Sequence, residues 1–246
     1  LYAVKNNKDG NSIKKRFGRR PFLFELTAKE SIDINHEVDL DFAEEICAGI
    51  RAKKNLKMNA LSTILTTSII SDICKSISVD VMLPSNIKPL SQGRLFGYAK
   101  TISITDIPKN DKDDSNWRKI FDALDSYEFI RPGDIIVVDN QVKERAYFGD
   151  LNATLAIKNG AIGAIINGFT RDVEKVQLLQ FPVYACGSYA NDVKYDGIFS
   201  YMNESIKVGK ISIKNSDIIF ADHNGVCVIP LEIWDKIESH LYESVE

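Results

Sequence analysis

The sequence predicts an α/β domain built around a locally parallel sheet, on three observations. Short apolar runs stand at Ile135–Val138, Ala161–Ile166 and Pro182–Ala185. Segments of helical character fill the intervals, from Leu151 to Lys158 and from Asp172 onward. Turn residues, Pro132-Gly133-Asp134 and Asn167-Gly168, punctuate the runs. Strands and helices alternating at this spacing make βαβ units, whose connected strands lie parallel.

In chain order, the first fifty residues hold a basic stretch, Lys14 to Arg20, then a strand-like run Phe22–Leu26, then Ser31-Ile32-Asp33-Ile34-Asn35. Leu40, Ala43, Cys47 and Ile50 recur at helical spacing behind Asp39, a plausible N-cap. The polar, basic run Arg51 to Met58 suits a junction, which divides the chain into residues 1–54 and 55–246. A second helix is expected over Ser68–Ile77, where Ile69, Ile70, Ile73, Cys74 and Ile77 share a face. Between Arg94 and Ile104 the period becomes two, which predicts a strand, and Lys109–Ser115 reads as a charged loop. Beyond the βαβ region come expected strands within Ile206–Ile213, at Asp217–Ala221 and at Val226–Ile229, then a helix over Leu231–Tyr242. The chain opens on Leu1 and reads from the start like the inside of a folded protein, so a piece of something longer is expected.

With 246 residues, 44% hydrophobic and 26% charged, the chain can bury a sizeable core as one domain and a fragment, or as two small domains. A formal net charge of -3 provides no basic field for nucleic acid or an anionic membrane, so direct nucleic-acid binding is not expected. No apolar run approaches the roughly 20 residues of a membrane span, and the N-terminus lacks a secretory pattern, so the expected location is cytoplasmic. Cys47, Cys74, Cys186 and Cys227 are far apart in apolar contexts and read as buried thiols.

Ligands of parallel α/β sheets gather beyond the carboxyl ends of the strands. That rule selects Gly149-Asp150-Leu151-Asn152 and Gly168-Phe169-Thr170-Arg171-Asp172, each leading into a helix, and places Asp150, Arg171 and Asp172 at one rim. Two carboxylates can hold a hard divalent cation or its waters, and an arginine fork suits a carboxylate or enolate. The N–H groups of Leu151 and Asn152 add an anion site at a helix start. Spacing alone equally allows Asp150 and Asp172 as simple N-caps and Arg171 as a surface ion-pair partner.

The run Tyr147-Phe148-Gly149-Asp150-Leu151-Asn152-Ala153-Thr154, with Gly160, Ile166-Asn167-Gly168-Phe169-Thr170-Arg171-Asp172 and Phe181-Pro182-Val183-Tyr184-Ala185, resembles the RraA-like family. That family includes 4-hydroxy-4-methyl-2-oxoglutarate aldolases and the regulator of ribonuclease activity A. Its aldolases carry an aspartate, twenty intervening residues and Arg-Asp, the spacing of Asp150 and Arg171-Asp172. The likeness runs from Ser71-Asp72-Ile73 to Ala221–Pro230, with departures at Asn215-Ser216-Asp217, where Pro-Gly-Asp is usual, and at Leu151-Asn152, where two leucines are common. The resemblance implies a swivelling β/β/α domain, a homotrimer or hexamer, and Mg²⁺ or Mn²⁺ as cofactor. It implies a lyase that cleaves or decarboxylates a small 2-oxo acid and releases pyruvate. Asp172 would ligate the metal, Asp150 would hold a water that shuttles the proton, and Arg171 would neutralise the enolate, with Gly149, Leu151, Asn152 and Arg171 contacting substrate. Family aldolases also lend a glutamate from a C-terminal segment to a neighbouring subunit; here the chain stops at Glu246, which either fills that role or leaves the shell thinner.

Ser31–Asn35 followed by Val38–Glu44 resembles the C-terminal end of acidic-sugar cytidylyltransferases, with Asp33 matching one metal-binding aspartate and Asn35 departing at the other. No nucleotide-binding half precedes it, so residues 1–54 read as an incomplete segment or the stub of a fusion. The remaining attractive residues have plainer roles. His223 is expected in a solvent-facing turn, Trp117 and Trp234 as packing anchors, and Lys143-Glu144-Arg145 as a solvated loop; His36 and His240 are weaker candidates, and no lysine is placed in a dry pocket for Schiff-base chemistry. The rival functions are a non-catalytic RraA-like regulator and an oligomerisation domain fused to an acidic-sugar cytidylyltransferase.

Overall fold

The computed structural model describes residues 25–27, 30–107 and 120–243. The basic stretch, most of the Phe22–Leu26 run, Lys109–Ser115, Trp117 and Glu246 lie outside these residues. The chain divides into two compact units, Leu1–Ile50 and Arg51–Glu246.

Helix α1 (Glu37–Ser62) runs through the segment expected as a junction, whose alanine, leucine, lysine and methionine residues favour helix. Asp39 is not its N-cap but lies in the first turn, where its Oδ2 reaches back to the N–H groups of Asn35 and His36. Of the four thiols expected to be buried, Cys47 is exposed on this helix, beside exposed Leu40 and Ile50, and Cys186 is only partly buried. Cys74 and Cys227 are buried, and all four cysteines are free.

Within the second unit, α2 (Thr67–Ser76) begins at Thr66, whose side chain caps the Ile69 N–H. The main sheet runs β1 (Lys88–Pro89), β6 (Val183–Ser188), β5 (Gly163–Thr170), β3 (Asp134–Asn140), β2 (Leu95–Asp106), β10 (Ile218–Asp222), β11 (Gly225–Ile229). Two further strands pair alongside, β4 (Ala146–Phe148) with β5 and β7 (Gly197–Met202) with β2. The centre, β2-β3-β5-β6, is parallel as expected, and antiparallel strands flank it. The Ile206–Ile213 stretch, expected as a strand, is a hairpin of two, β8 (Ile206–Val208) and β9 (Ile211–Ile213).

Both faces of the central strands are covered, so their side chains are apolar on each side. On one face Ile136, Val138, Ala164 and Ile166 meet Ala153 and Ala156 of α4 (Asp150–Lys158) and Val176 of α5 (Val173–Leu178). On the other, Ile135, Val137 and Ile165 meet Ile206, Val208 and Ile213 of the hairpin. A third cluster joins Met58, Leu61 and Ile70 to Phe96, Phe220 and Trp234 at the start of α6 (Trp234–Glu243), where Trp234 packs edge-on to Phe96 at 5.7 Å, the expected anchor role. Asn167-Gly168 is not a turn after β5: the strand continues to Thr170 through a register shift, with Gly168 at φ 148 against Asn140. This irregularity carries β5 four residues past Ile166, to Thr170, and sets Arg171 directly after its end. The turn of α3 (Asp122–Asp125) and the strands β4 and β7 are too short or too mixed in pattern to show in the sequence.

Candidate functional site

The site forms where β4 and β5 end. β4 pairs in parallel with the last residues of β5, so the starts of α4 and α5, which follow them, come side by side. The Arg171 N–H donates to the Phe148 carbonyl at 2.8 Å and fixes this closure through the backbone. Gly149 lies at the join. A Cβ there would stand 2.8 Å from Asp172 Oδ2, 3.2 Å from Arg171 Cγ and 3.4 Å from Arg171 Nε. Its φ of -155° is open to any residue, so what a larger side chain would disturb is the placing of Asp172 and Arg171.

The three charged residues are thereby brought together. Asp150 Oδ2 accepts from Lys175 Nζ at 3.0 Å, and Asp172 is near enough to act on the Asp150 carboxyl. The Lys175 ammonium holds the Asp150 carboxyl below the usual carboxylate range, and Asp150 in turn raises Lys175. Arg171 is gripped twice: its Nη2 lies 2.7 Å from Asp192 Oδ2 and its Nε 3.4 Å from Asp172 Oδ2. Asp172 adopts a left-handed backbone, φ 53 and ψ 35, which aspartate tolerates better than most residues. Its side chain makes no capping bond to α5, so the reading of Asp172 as a mere N-cap fails, and the carboxylate faces Gly149 and Arg171 instead.

The expected anion site at the start of α4 is corrected in part. The Leu151 N–H is taken by Asp150 Oδ1 at 2.9 Å, because an aspartate in the first turn can bond the next amide. The Asn152 side chain is buried and donates to the Tyr127 hydroxyl at 3.3 Å, facing the core. Two residues escaped the sequence reading. Lys175 is one helical turn beyond Asp172, a visible spacing, although its pairing with Asp150 is not. It stands beside the carboxylates, but it is 67% exposed and its ammonium is stabilised, the opposite of a Schiff-base lysine. Asp192 comes from the loop after β6, and no sequence signal links it to Arg171.

Other candidates keep structural roles. His223 is exposed in the turn between β10 and β11, as expected, and His240 Nδ1 pairs with the Lys236 carbonyl. A cleft of about 620 Å³ is lined by Thr66, Leu90, Arg94, Tyr184 and His223 among others. It lies by the residues preceding β2 and takes in Gln177 of α5, but neither Asp150, Arg171 nor Asp172 lines it.

Among the described residues, no group of three or more His, Cys, Asp or Glu side chains converges as metal ligands. The available donors are carboxylate oxygens of Asp150 and Asp172, hard ligands that fit a cation keeping most of its waters, as Mg²⁺ does. No helix among these residues is long and apolar enough to cross a membrane.

Comparison with known proteins gives a consistent picture. A family model described as RraA-like, Aldolase/RraA, matches residues 67–228. The chain is 32% identical over 163 residues to the DlpA protein of Legionella pneumophila, covering 65% of this chain but only 25% of that protein. It is 30% identical over 168 residues to a Halalkalibacterium halodurans protein provisionally named 4-hydroxy-4-methyl-2-oxoglutarate aldolase, covering 68% of this chain and 73% of the relative. Against several other relatives of the same name it spans about 60% of their length or slightly less. The Streptomyces coelicolor protein RraAS2, described as an unusual member of the RNase ES inhibitor RraA family, superimposes with a TM-score of 0.64 at 16% identity, over 73% of this chain and 87% of that one. At that identity the likeness concerns the fold.

Proposed function

The chain belongs to the RraA-like family, and from that premise we propose that it is a divalent-metal-dependent lyase releasing pyruvate from a small 2-oxo acid. The observation that carries this reading is the meeting of Asp150, Arg171 and Asp172 around Gly149, where an added Cβ would crowd Asp172 and Arg171. Mg²⁺ or Mn²⁺ would be held by Asp172, with Asp150 on its waters; bound there, the ion supplies Lewis acidity toward the carboxylate and ketone oxygens of the substrate.

The chain's own residues do the rest. Arg171, permanently charged, places its fork beside the developing enolate oxygen and offsets its charge. Asp150 accepts the proton of the substrate hydroxyl through a water as the carbon–carbon bond breaks, and returns it to the methylene carbon so that pyruvate leaves. Its lowered pKa keeps it ionised and ready to accept, at some loss of basicity. Gly149 admits the substrate close to both charged side chains. In this reading the protein acts as a homotrimer or hexamer. Leu151 and Leu178, 54% and 84% exposed on α4 and α5, suit an interface near the site.

Pyruvate release from a panel of 4-hydroxy-2-oxo acids and oxaloacetate, with Mg²⁺ and with chelator, tests the proposal. Metal-dependent release from at least one is expected. No release from any would reject the lyase and favour a binding role, either as a regulator or as an assembly domain of an acidic-sugar cytidylyltransferase.

A further inference from the structure

We propose that Asp192 is a positioning residue for Arg171, a fixed post that sets the guanidinium's direction in the site; the catalytic part of this inference rests on the lyase reading above. Asp192 is itself held from two sides. Its backbone neighbours are stitched to β4, since the Ala146 N–H donates to the Asn191 carbonyl and the Val193 N–H donates to the Ala146 carbonyl. Its Oδ1 accepts from the Lys194 N–H at 2.6 Å in a local turn. Only Oδ2 remains for Arg171, at 2.7 Å from Nη2.

Arg171 has the complementary need. Its backbone is pinned to Phe148, but the side chain beyond is 39% exposed. Its other carboxylate neighbour, Asp172, is 3.4 Å from Nε, a weaker hold, and Asp172 is also the proposed metal ligand. A guanidinium anchored by Asp172 alone would swing as that carboxylate changes partners. The post at Asp192 comes from a different loop, attached to β4, and is independent of the metal. An exposed ion pair of this kind adds little to stability. Its consequence is orientation, because a rigidly aimed cation stabilises transition-state charge and a wandering one does not.

Asp192→Asn is the discriminating variant. The Asn side-chain oxygen can still accept from the Lys194 N–H, so the loop is kept, while the amide replaces the carboxylate that faces Arg171. Asp192→Ser, which can also cap that N–H, serves as a second variant. The expected kinetic result is a roughly tenfold fall in kcat with KM changed less than about twofold and an unaltered urea midpoint. In an Arg171→Ala background the same substitution should cost nothing further, because the residue it positions is gone. A loss equal in both backgrounds, an unchanged kcat, or a fall explained by destabilisation of both variants overturns the proposal. The ¹⁵N spectrum of arginine side chains reads positioning without activity. The Arg171 Nε–H signal should be sharp in the wild type and exchange-broadened in Asp192→Asn. Identical signals in the two proteins overturn the positioning role. If the wild type turns over no 2-oxo acid, the lyase reading fails by itself and the spectrum alone decides whether Asp192 orders Arg171.

Discussion

Gly149→Ala perturbs the site at its centre with a single methyl group. The backbone there is extended, so alanine brings no conformational strain. The added Cβ would lie 2.8 Å from Asp172 Oδ2 and 3.2 Å from Arg171 Cγ. Comfortable contacts involving carbon need about 3.5 Å, so the Asp172 carboxylate must retreat by roughly 0.7 Å and the Arg171 stem by a few tenths. Both are partly exposed and can move, which keeps the change in folding stability within about 1 kcal/mol. Catalysis is less forgiving, since a misplacement near 1 Å can lower rates by on the order of 10². A continuous assay of pyruvate release beside urea denaturation separates the two effects. Expected is a fall of roughly 10- to 100-fold in kcat/KM at nearly unchanged stability. An alanine variant with wild-type turnover would refute the idea that the closeness of Asp172 and Arg171 to Gly149 matters to chemistry.

Two further outcomes follow from individual residues. Lys175→Gln removes the ammonium that depresses Asp150, so the Asp150 pKa should rise and the acidic limb of the pH profile of kcat/KM should move to higher pH; a limb that stays in place would show that Asp150 does not govern it. Ser216 holds φ 73, a backbone more easily adopted by glycine, so Ser216→Gly should stabilise the fold by up to about 1 kcal/mol in urea denaturation, and destabilisation would contradict that account.

Much of this was legible because parallel strands and their helices write simple patterns. The runs at Ile135, Ala161 and Pro182 became β3, β5 and β6, and the rule that ligands gather beyond strand ends brought Asp150, Arg171 and Asp172 to one place. What stayed hidden depends on closure between distant segments. Nothing local marks the three-residue β4 or announces that β5 continues past Gly168, although together they set the spacing of the site. Asp192 and the Asp150–Lys175 pair are likewise tertiary facts. Helix α1 shows the converse: helical spacing at Leu40, Ala43, Cys47 and Ile50 reports a helix, but not the burial of its side chains, and Cys47 is exposed.

The central claim, that Arg171 and Asp172 share one site in different roles, is tested most directly by Mg²⁺ calorimetry and pyruvate-release kinetics on Arg171→Ala and Asp172→Asn. Asparagine retains the left-handed backbone at 172 while removing the charge, so metal binding should weaken steeply and turnover should disappear with it. Arg171→Ala should bind Mg²⁺ nearly as the wild type does, yet lose on the order of 10² in kcat. Wild-type turnover in Arg171→Ala, or unchanged Mg²⁺ affinity in Asp172→Asn, would contradict the assignment.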